Sequence, residues 1–293
     1  MAGFGHVLTA MVTPFDENLN VDCKKAADLA RLLIASGSDG VVVAGTTGES
    51  PTLTHEEKVA LFRAVVEAIG GKGLVIAGTG TNSTKDSIEL TREAEDAGAD
   101  GIMLVAPYYN KPPQDGLFRH FEAIAKETSL PIMLYNIPSR TGVNITPDTV
   151  VRLASIKNIT AIKEASGNMD QVSEIRKRAP ADFAIYSGDD SLTLPIMACG
   201  GIGVVSVASH VAGPQIKEMV DAYLAGDPRK ATRIHLTLFP LFRSLFVTTN
   251  PIPVKFALRL KGFDAGKVRL PLLSLGEKEE AVVKAAMKEA GIL

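Results

Sequence analysis

The stretch Asn158-Ile-Thr-Ala-Ile-Lys163-Glu-Ala-Ser-Gly167 combines an apolar, β-forming run with a lysine at its end and small residues after it. The pattern predicts a buried strand over 159–163. A lysine amine attacks a carbonyl carbon only when neutral, and at an ordinary pKa of about 10.4 few lysines are neutral at pH 7. Burial against apolar neighbours favours the neutral form. Lys163 is therefore the candidate nucleophile; the alternative is a strand-terminal lysine whose ammonium group reaches water.

Similar apolar runs recur along the chain, and amphipathic segments separate them. The predicted strands are 6–12, 40–44, 74–77, 101–106, 132–135, 159–163, 183–187 and 203–207. The predicted helices between and after them are 23–35, 54–69, 84–97, 115–127, 147–155, 169–178, 191–198 and 214–225. The strands are apolar throughout, which is typical of parallel strands covered on both faces.

Eight strand–helix units predict an α/β protein with a closed (β/α)8 TIM barrel. An open doubly wound sheet is the alternative, but Gly78-Thr-Gly-Thr-Asn-Ser83 lacks the third glycine of a dinucleotide-binding turn. After Asp227 the pattern changes to successive helices, one opened by Asn250-Pro-Ile-Pro253 and the last over 277–290. We therefore predict a barrel domain over residues 1–226 and a small α-helical domain over residues 227–293.

Two helix starts carry strong local signals. Thr54 precedes Glu57 by three residues, which predicts a capping box. Thr146 precedes Pro147, which predicts a capping hydroxyl before a first-turn proline.

The composition narrows the class of protein. The 293 residues are 46% hydrophobic and 22% charged, with a net charge of -2, so neither nucleic acid nor a membrane surface is an expected partner. Cys23 and Cys199 form no CxxC pair, the N-terminal residues have no signal-peptide pattern, and no apolar run approaches about 18 residues. A cytoplasmic location is expected.

The unusual loops all follow predicted strands, where barrel enzymes carry their chemistry. Gly45-Thr46-Thr47-Gly-Glu-Ser50 offers hydroxyl and N–H groups for a small carboxylate, or it is a plain turn; it lacks the GK[ST] ending of a nucleotide loop. Tyr108 and Tyr109 are adjacent on one loop and Tyr135 ends a strand. Tyrosine hydroxyls relay protons, although a loop tyrosine is often a packing residue.

Two further loop features have alternative interpretations. Arg140, between Ser139 and Thr141, suits a bidentate carboxylate clamp or is an ordinary surface arginine. Gly188-Asp-Asp190 follows a strand in a position where a metal site is conceivable. Because the five histidines are dispersed and no ligand spacing supports a metal, we interpret it as a backbone turn plus a helix cap.

Over essentially the whole chain, these motifs resemble the class I pyruvate-dependent aldolases of the dihydrodipicolinate synthase and N-acetylneuraminate lyase family. The motifs are Gly45–Ser50, Tyr108-Tyr109-Asn110, Tyr135-Asn-Ile-Pro-Ser-Arg140-Thr-Gly142 and Ile162-Lys163-Glu164, in the family's order and spacing. Arg140 in this setting resembles the synthase branch. A neuraminate lyase or sugar-acid aldolase, or a catalytically inactive binding paralogue, remains an alternative.

The resemblance implies a mechanism and a set of roles. Lys163 forms a Schiff base with pyruvate, whose enamine attacks aspartate-4-semialdehyde on a route towards diaminopimelate and lysine. Tyr135 is the general acid/base, and Thr46 and Tyr109 complete a hydroxyl relay, with Tyr109 crossing a subunit contact of a homodimer or homotetramer. The implied substrate-binding residues are Thr46 and Thr47 for pyruvate, Arg140 for the semialdehyde carboxylate, and Gly188 and Val205 lining the site. No metal or cofactor is implied.

The resemblance also implies a regulatory lysine pocket at the dimer contact. It would be formed by Ser50, Pro51, His55, Lys58, Asn82, Asp86 and Tyr108. Lys58 stands where lysine-inhibited relatives tend to carry histidine, Pro51 replaces a smaller residue, and Asp86 replaces a longer glutamate. We therefore expect weak or absent inhibition by L-lysine, unless Lys58 merely points along the solvated face of its helix.

Overall fold

A closed barrel of parallel strands forms the centre of residues 3–293, the part of the chain that the computed structural model describes. The strands are β1 (Val7–Ala10), β2 (Gly40–Val43), β3 (Leu74–Gly78), β4 (Gly101–Val105), β5 (Ile132–Asn136), β6 (Ile159–Glu164), β7 (Ala184–Ser187) and β8 (Gly203–Ser206). Each strand pairs with the next, and β8 closes the barrel on β1 with Val205 opposite Leu8. The predicted (β/α)8 barrel is confirmed, and the open-sheet alternative is wrong.

Helices surround the barrel and continue beyond it. They are α1 (Cys23–Ala35), α2 (His55–Ile69), α3 (Thr84–Asp96), α4 (Gln114–Ala125), α5 (Pro138–Thr141), α6 (Pro147–Leu153), α7 (Met169–Arg178), α8 (Thr193–Ala198), α9 (Ser209–Leu224), α10 (Pro228–Ser244), α11 (Ile252–Leu260) and α12 (Glu277–Glu289). The main departure from prediction is α9, which begins before residue 214. Ala212 is non-helical, at φ -129°. Because Pro214 has no N–H to donate, the sequence signal marks only the part of α9 after this break.

The two predicted helix starts differ in their outcome. The capping box is confirmed, because the Thr54 hydroxyl accepts from Glu57 N at 3.2 Å and a Glu57 carboxylate oxygen accepts from Thr54 N at 2.9 Å. The predicted Thr146 cap is wrong. Its hydroxyl instead donates to the Gln114 side-chain oxygen at 3.1 Å, an acceptor that only the packing of α4 against this helix start supplies.

Side chains fill both faces of the sheet, as the uniformly apolar strands predict. The cluster inside the barrel contains Leu8, Ala10, Val42, Ile76, Met103, Met133, Tyr135, Ala161, Ala184, Tyr186 and Val205. Alternate strand residues such as Val7, Val41 and Val75 pack outward into the larger cluster beneath the helices. Side chains therefore fill the barrel interior below the carboxyl ends of the strands. Polar groups lie at the carboxyl ends.

The C-terminal helices pack on the barrel and reach its functional end. The predicted α-helical C-terminal region is present as α10–α12. On α11, Lys255 Nζ lies 2.8 Å from Glu49 Oε1 in the loop after β2, and both side chains are buried. Farther on, Arg269 donates to Glu57 at 2.8 Å and to the Thr52 carbonyl at 2.7 Å. These contacts hold the C-terminal segment against the β2 loop. The division into domains at residues 226 and 227 stays a prediction.

Within residues 3–293, none of the helices combines the length and apolar character that crossing a membrane requires. Over the same range, no group of three or more His, Cys, Asp or Glu side chains is arranged to hold a metal ion.

Candidate active site

Lys163 lies near the carboxyl end of β6, with Tyr135 of β5 and Tyr186 of β7 as its strand neighbours. The residue is 5% exposed, and its Nζ atom lies 4.1 Å from the centroid of the Tyr135 ring. Burial lowers the pKa of Lys163 to about 7, while the charge of Asp190 opposes this shift. About half of such amines are neutral at pH 7, so this lysine has the protonation state that a nucleophile needs.

Tyr135 contacts the amine and also borders the main cavity of the site. It is 3% exposed, and burial raises the pKa of its hydroxyl to about 12, against smaller effects of Arg140 and of a hydrogen bond with Thr46. The phenol therefore stays protonated at neutral pH and is able to donate a proton beside Lys163.

A cavity of about 240 Å³ opens at the carboxyl ends of β2 to β5. Its lining includes Thr46, Ser50, Pro51, Tyr108, Tyr135 and Arg140. Residues from three separated loops and one strand therefore meet at one small cavity, whose size suits a metabolite of a few carbon atoms.

A larger cleft of about 620 Å³ lies between the loop after β1 and the C-terminal segment. Its buried amine, Lys255, is paired with Glu49 at 2.8 Å and donates to the Lys267 carbonyl at 3.0 Å. The buried amine of this cleft is thus held by a carboxylate and a carbonyl. We place the chemistry at the smaller cavity, which Tyr135 lines. The Lys163 amine lies against the Tyr135 ring and has no such carboxylate contact within residues 3–293.

The predicted carboxylate-binding residues occupy two different settings. Thr47 is 3% exposed, and its hydroxyl accepts from the Asn250 side-chain amide at 2.8 Å. Arg140 lies on α5, is exposed, and donates to the Asn250 carbonyl at 3.3 Å. Its guanidinium charge also lowers the pKa of Lys163, after the larger effect of burial.

Gly188 lies close to Lys163, and Val205 lies inside the barrel. A Cβ atom on Gly188 would approach Lys163 Cε to 3.1 Å and Ala165 Cβ to 2.7 Å, so the absence of a side chain lets the β7 loop lie directly on Lys163. Val205 of β8 is 1% exposed inside the barrel. Of the two, Gly188 is the residue in contact with the lysine.

Tyr109 is the one predicted catalytic residue that this chain does not bring to the others. Its side chain is 88% exposed, and its backbone is left-handed at φ +73°. Tyr108, in contrast, lines the cavity, and burial raises the pKa of its hydroxyl. The two adjacent tyrosines therefore face different environments.

The predicted regulatory residues are only partly assembled. Ser50, Pro51 and Tyr108 line the cavity. Lys58 is partly buried, this burial lowers its pKa, and the charge of Asp86 partly offsets that effect.

The remaining two regulatory candidates are held by other partners. His55 is paired with Glu93 across two helices. The Asn82 carbonyl accepts from the Asn110 side chain at 2.9 Å. Whether these residues bind lysine stays a prediction.

The sequence predicts a turn plus a helix cap at Gly188-Asp-Asp190. This prediction accounts for Asp189 but not for the buried position of Asp190. Asp189 is the cap, accepting from Ser191 N at 2.8 Å. Asp190 is buried and accepts from the Ser206 hydroxyl and from the amides of Val207 and Ala208. Because either residue of an Asp-Asp pair suits a cap, only packing shows that Asp190 points inward towards Lys163.

Asn250 was also missed, because the sequence pattern assigned it only to the opening of a helix. It is 5% exposed and contacts both Thr47 and Arg140. No local sequence pattern indicates these contacts, because they join residues far apart in the chain.

Comparisons with known proteins agree with this architecture. A model of the Dihydrodipicolinate synthetase family matches residues 3–290. A relative from Moorella thermoacetica, named 4-hydroxy-tetrahydrodipicolinate synthase, is 60% identical over 290 residues, 99% of each chain. The crystal structure of a dihydrodipicolinate synthase from Bacillus anthracis has a TM-score of 0.96 at 53% identity and covers 98% of this chain and 99% of its own. That of the Cyanidioschyzon merolae enzyme, with lysine bound, has a TM-score of 0.97 at 52% identity and 99% coverage of both.

Proposed function

The chain belongs to the dihydrodipicolinate synthetase family, and we propose that it condenses pyruvate with L-aspartate-4-semialdehyde through a Schiff base on Lys163. It is a lyase-type aldolase with the 4-hydroxy-tetrahydrodipicolinate synthase activity of its full-length relatives, in diaminopimelate and lysine biosynthesis. This identity favours the synthase over a neuraminate lyase, a sugar-acid aldolase or an inactive paralogue.

One observation carries the proposed chemistry: a buried amine whose pKa is lowered to about 7 lies against a buried, protonated tyrosine. The neutral Lys163 amine attacks the ketone carbon of pyruvate, and loss of water leaves an iminium. The iminium withdraws electrons, so the methyl carbon loses a proton and becomes an enamine.

The enamine carbon then forms the new bond to the aldehyde carbon of the semialdehyde, whose oxygen takes up a proton. The amino group of that substrate displaces Lys163 from the iminium carbon, which closes the ring and frees the enzyme. Tyr135 is the proposed proton donor and acceptor, with Thr46 next to it in the relay. No metal or cofactor takes part in this scheme.

Substrate carboxylates are the proposed ligands of the polar loops. Thr46 and Thr47 bind the pyruvate carboxylate, and Arg140 at the rim binds that of the semialdehyde. Gly188 and Val205 shape the space beside Lys163.

A second copy of the chain is the proposed source of the missing hydroxyl. Tyr109 is exposed on the single chain and does not line its cavity. On α10, Leu236 and Phe239 are exposed as well, at 63% and 42%. Isolated exposed apolar side chains are common, but both features suit a homodimer or homotetramer. A cytoplasmic location belongs to the proposal, supported by the free thiols of Cys23 and Cys199.

Borohydride reduction in the presence of pyruvate tests the Schiff base. We expect one reduced pyruvate on the peptide that contains Lys163, with loss of activity, and no adduct in Lys163→Ala. The Lys255 peptide is an internal control, because Lys255 is equally buried but paired with Glu49. Labelling at Lys255 or at another lysine, with Lys163 unmodified, would overturn the assignment.

A further inference from the structure

Asn250 lies between α10 and α11, in the C-terminal region, and its side chain is 5% exposed. It meets the site from outside the barrel, at the loops after β2 and β5. Its side-chain amide donates to Thr47 Oγ1 at 2.8 Å, and its backbone carbonyl accepts from Arg140 Nη2 at 3.3 Å. One residue therefore contacts a proposed ligand of each substrate carboxylate.

The direction of the first hydrogen bond determines what the Thr47 hydroxyl is able to do. A hydroxyl has one hydrogen to donate and lone pairs that accept. Over residues 3–293, Asn250 is the one hydrogen-bond partner of Thr47 Oγ1, and it acts as the donor. The hydroxyl hydrogen, in a residue that is 3% exposed, thus has no acceptor within residues 3–293.

The contact with Arg140 works differently. A guanidinium has five N–H donors, and the Asn250 carbonyl accepts from one of them. The other donors stay available to a carboxylate, while the position of the guanidinium is fixed relative to Thr47. This contact uses the backbone of Asn250, so a side-chain substitution leaves its acceptor in place.

We propose that Asn250 is a positioning residue that directs the Thr47 hydroxyl hydrogen towards the pyruvate carboxylate. This inference rests on the proposed function and adds to it a residue from the C-terminal region. It acts through Thr47, so it affects binding of pyruvate more than use of the aldehyde.

The test measures how the rate of adduct formation at Lys163 depends on pyruvate concentration. Asn250→Ala should raise the half-saturating concentration about tenfold, the effect of losing one hydrogen bond to a charged ligand. The KM for aspartate-4-semialdehyde should change by less than about twofold on the same principle, since the carbonyl that contacts Arg140 remains.

Asn250→Asp separates positioning from packing, because aspartate has nearly the shape of asparagine. Its carboxylate accepts the Thr47 hydrogen and repels the pyruvate carboxylate, so we expect a larger loss than in Asn250→Ala. A packing role predicts the reverse order. Asn158→Ala is the matched control: the Asn158 amide donates to the carbonyls of Ala125 and Thr128, away from the site.

A double-mutant cycle completes the test. In a Thr47→Val background, Asn250→Ala should add less than about a twofold effect, because the hydroxyl it directs is already gone. Should the Asn250 variants fail to fold, as judged by circular dichroism, Thr47→Val must itself raise the half-saturating concentration about tenfold and Thr47→Ser must restore it. Independent effects of the two residues would overturn the inference.

The outcome also separates this inference from the proposed function. Wild-type protein that traps pyruvate at Lys163, together with a folded Asn250→Ala variant of unchanged pyruvate dependence, overturns only the role of Asn250. Wild-type protein that traps no pyruvate at Lys163 overturns both.

Discussion

Two buried lysines show how one residue type acquires two roles. Lys163 and Lys255 are both 5% exposed and both lie over an aromatic ring, that of Tyr135 or that of Phe15. Burial lowers the pKa of Lys255 too, but Glu49 at 2.8 Å opposes that shift, and the pair joins α11 to the β2 loop. Burial lowers the pKa of Lys163 without a contacting carboxylate, which makes its amine reactive.

The lowered pKa of Lys163 predicts the pH dependence of adduct formation. Only the neutral amine attacks pyruvate, so the single-turnover rate should rise about tenfold per pH unit below pH 7 and level off above it. Quenched-flow mass spectrometry of the Lys163 peptide measures this rate.

Asp190→Asn supplies the control for that pH profile. Because the Asp190 charge raises the pKa of Lys163, its removal should move the midpoint to lower pH. A midpoint near the ordinary lysine value in the wild type, or a shift to higher pH in the variant, would contradict the electrostatic account.

At the scale of secondary structure, parallel strands bring loops from distant parts of the chain to one end of the barrel. β5, β6 and β7 are adjacent, Lys163 pairs with Tyr135 and Tyr186 in the sheet, and its amine lies over the Tyr135 ring. After Lys163, the buried Glu164 accepts from Ser166 N at 2.6 Å and from the Asn136 amide. The end of β6 is thereby held rigid directly beside the reacting group.

Gly188→Ala tests the close approach of the β7 loop to β6. The added methyl would lie 2.7 Å from Ala165 Cβ and 3.1 Å from Lys163 Cε, so the loop or the lysine must move. We expect a loss of about 1–3 kcal/mol in the free energy of unfolding and at least about a tenfold slower adduct formation.

Gly116→Ala adds the same methyl on α4, where its nearest neighbour is Pro112 Cβ at 3.3 Å, and serves as the control. Chemical denaturation and pyruvate trapping measure the two effects. If Gly188→Ala retained wild-type stability and trapping, the loop would not need its close contact with Lys163.

At the scale of the whole molecule, the single chain does not bring every hydroxyl of the proposed proton relay to its site. Tyr135, Thr46 and Lys163 gather at one end of the barrel, but Tyr109 points into solvent. The C-terminal helices close the site from the other side through Asn250. We therefore propose that a partner chain supplies the last hydroxyl.

Mixing inactive variants tests this sharing. In a hybrid of Lys163→Ala and Tyr109→Phe chains, one of the two sites has an intact Lys163 and receives an intact Tyr109 from the other chain, so activity should return. Lys163→Ala mixed with Tyr135→Phe is the negative control, because both residues belong to the same chain's site. Inactive hybrids whose composition native mass spectrometry has verified would argue that Tyr109 is not shared.

The positive charge of Lys58 leads us to expect weak inhibition by L-lysine. A fixed cation at about 4 Å from a ligand ammonium group costs about 1 kcal/mol in water and about 4 kcal/mol at an intermediate dielectric. Burial lowers the pKa of Lys58, so its neutral fraction, and any lysine inhibition, should grow as pH rises.

A steady-state titration with L-lysine measures this effect, and Lys58→His is the comparison, expected to be more sensitive at neutral pH. The Cyanidioschyzon merolae structure, 52% identical, has lysine bound, so a lysine site occurs among similar chains. Strong inhibition of the wild type at submillimolar lysine would show that Lys58 does not close the pocket.

The sequence by itself determined the features that depend on local pattern. Apolar runs and helical periodicity identified eight strand–helix units, the capping box at Thr54 and the helical C-terminal region, because a residue's own neighbours in the chain decide each of them. The motifs likewise identified Lys163, Tyr135 and Arg140 as candidates.

Only the tertiary structure decided the rest. The lowered pKa of Lys163 depends on desolvation by several strands at once, and the inward direction of Asp190 depends on amides after β8. Asn250 reaches Thr47 across 203 positions of sequence. Burial and long-range hydrogen bonds arise when distant segments pack together, so no window of neighbouring residues contains them.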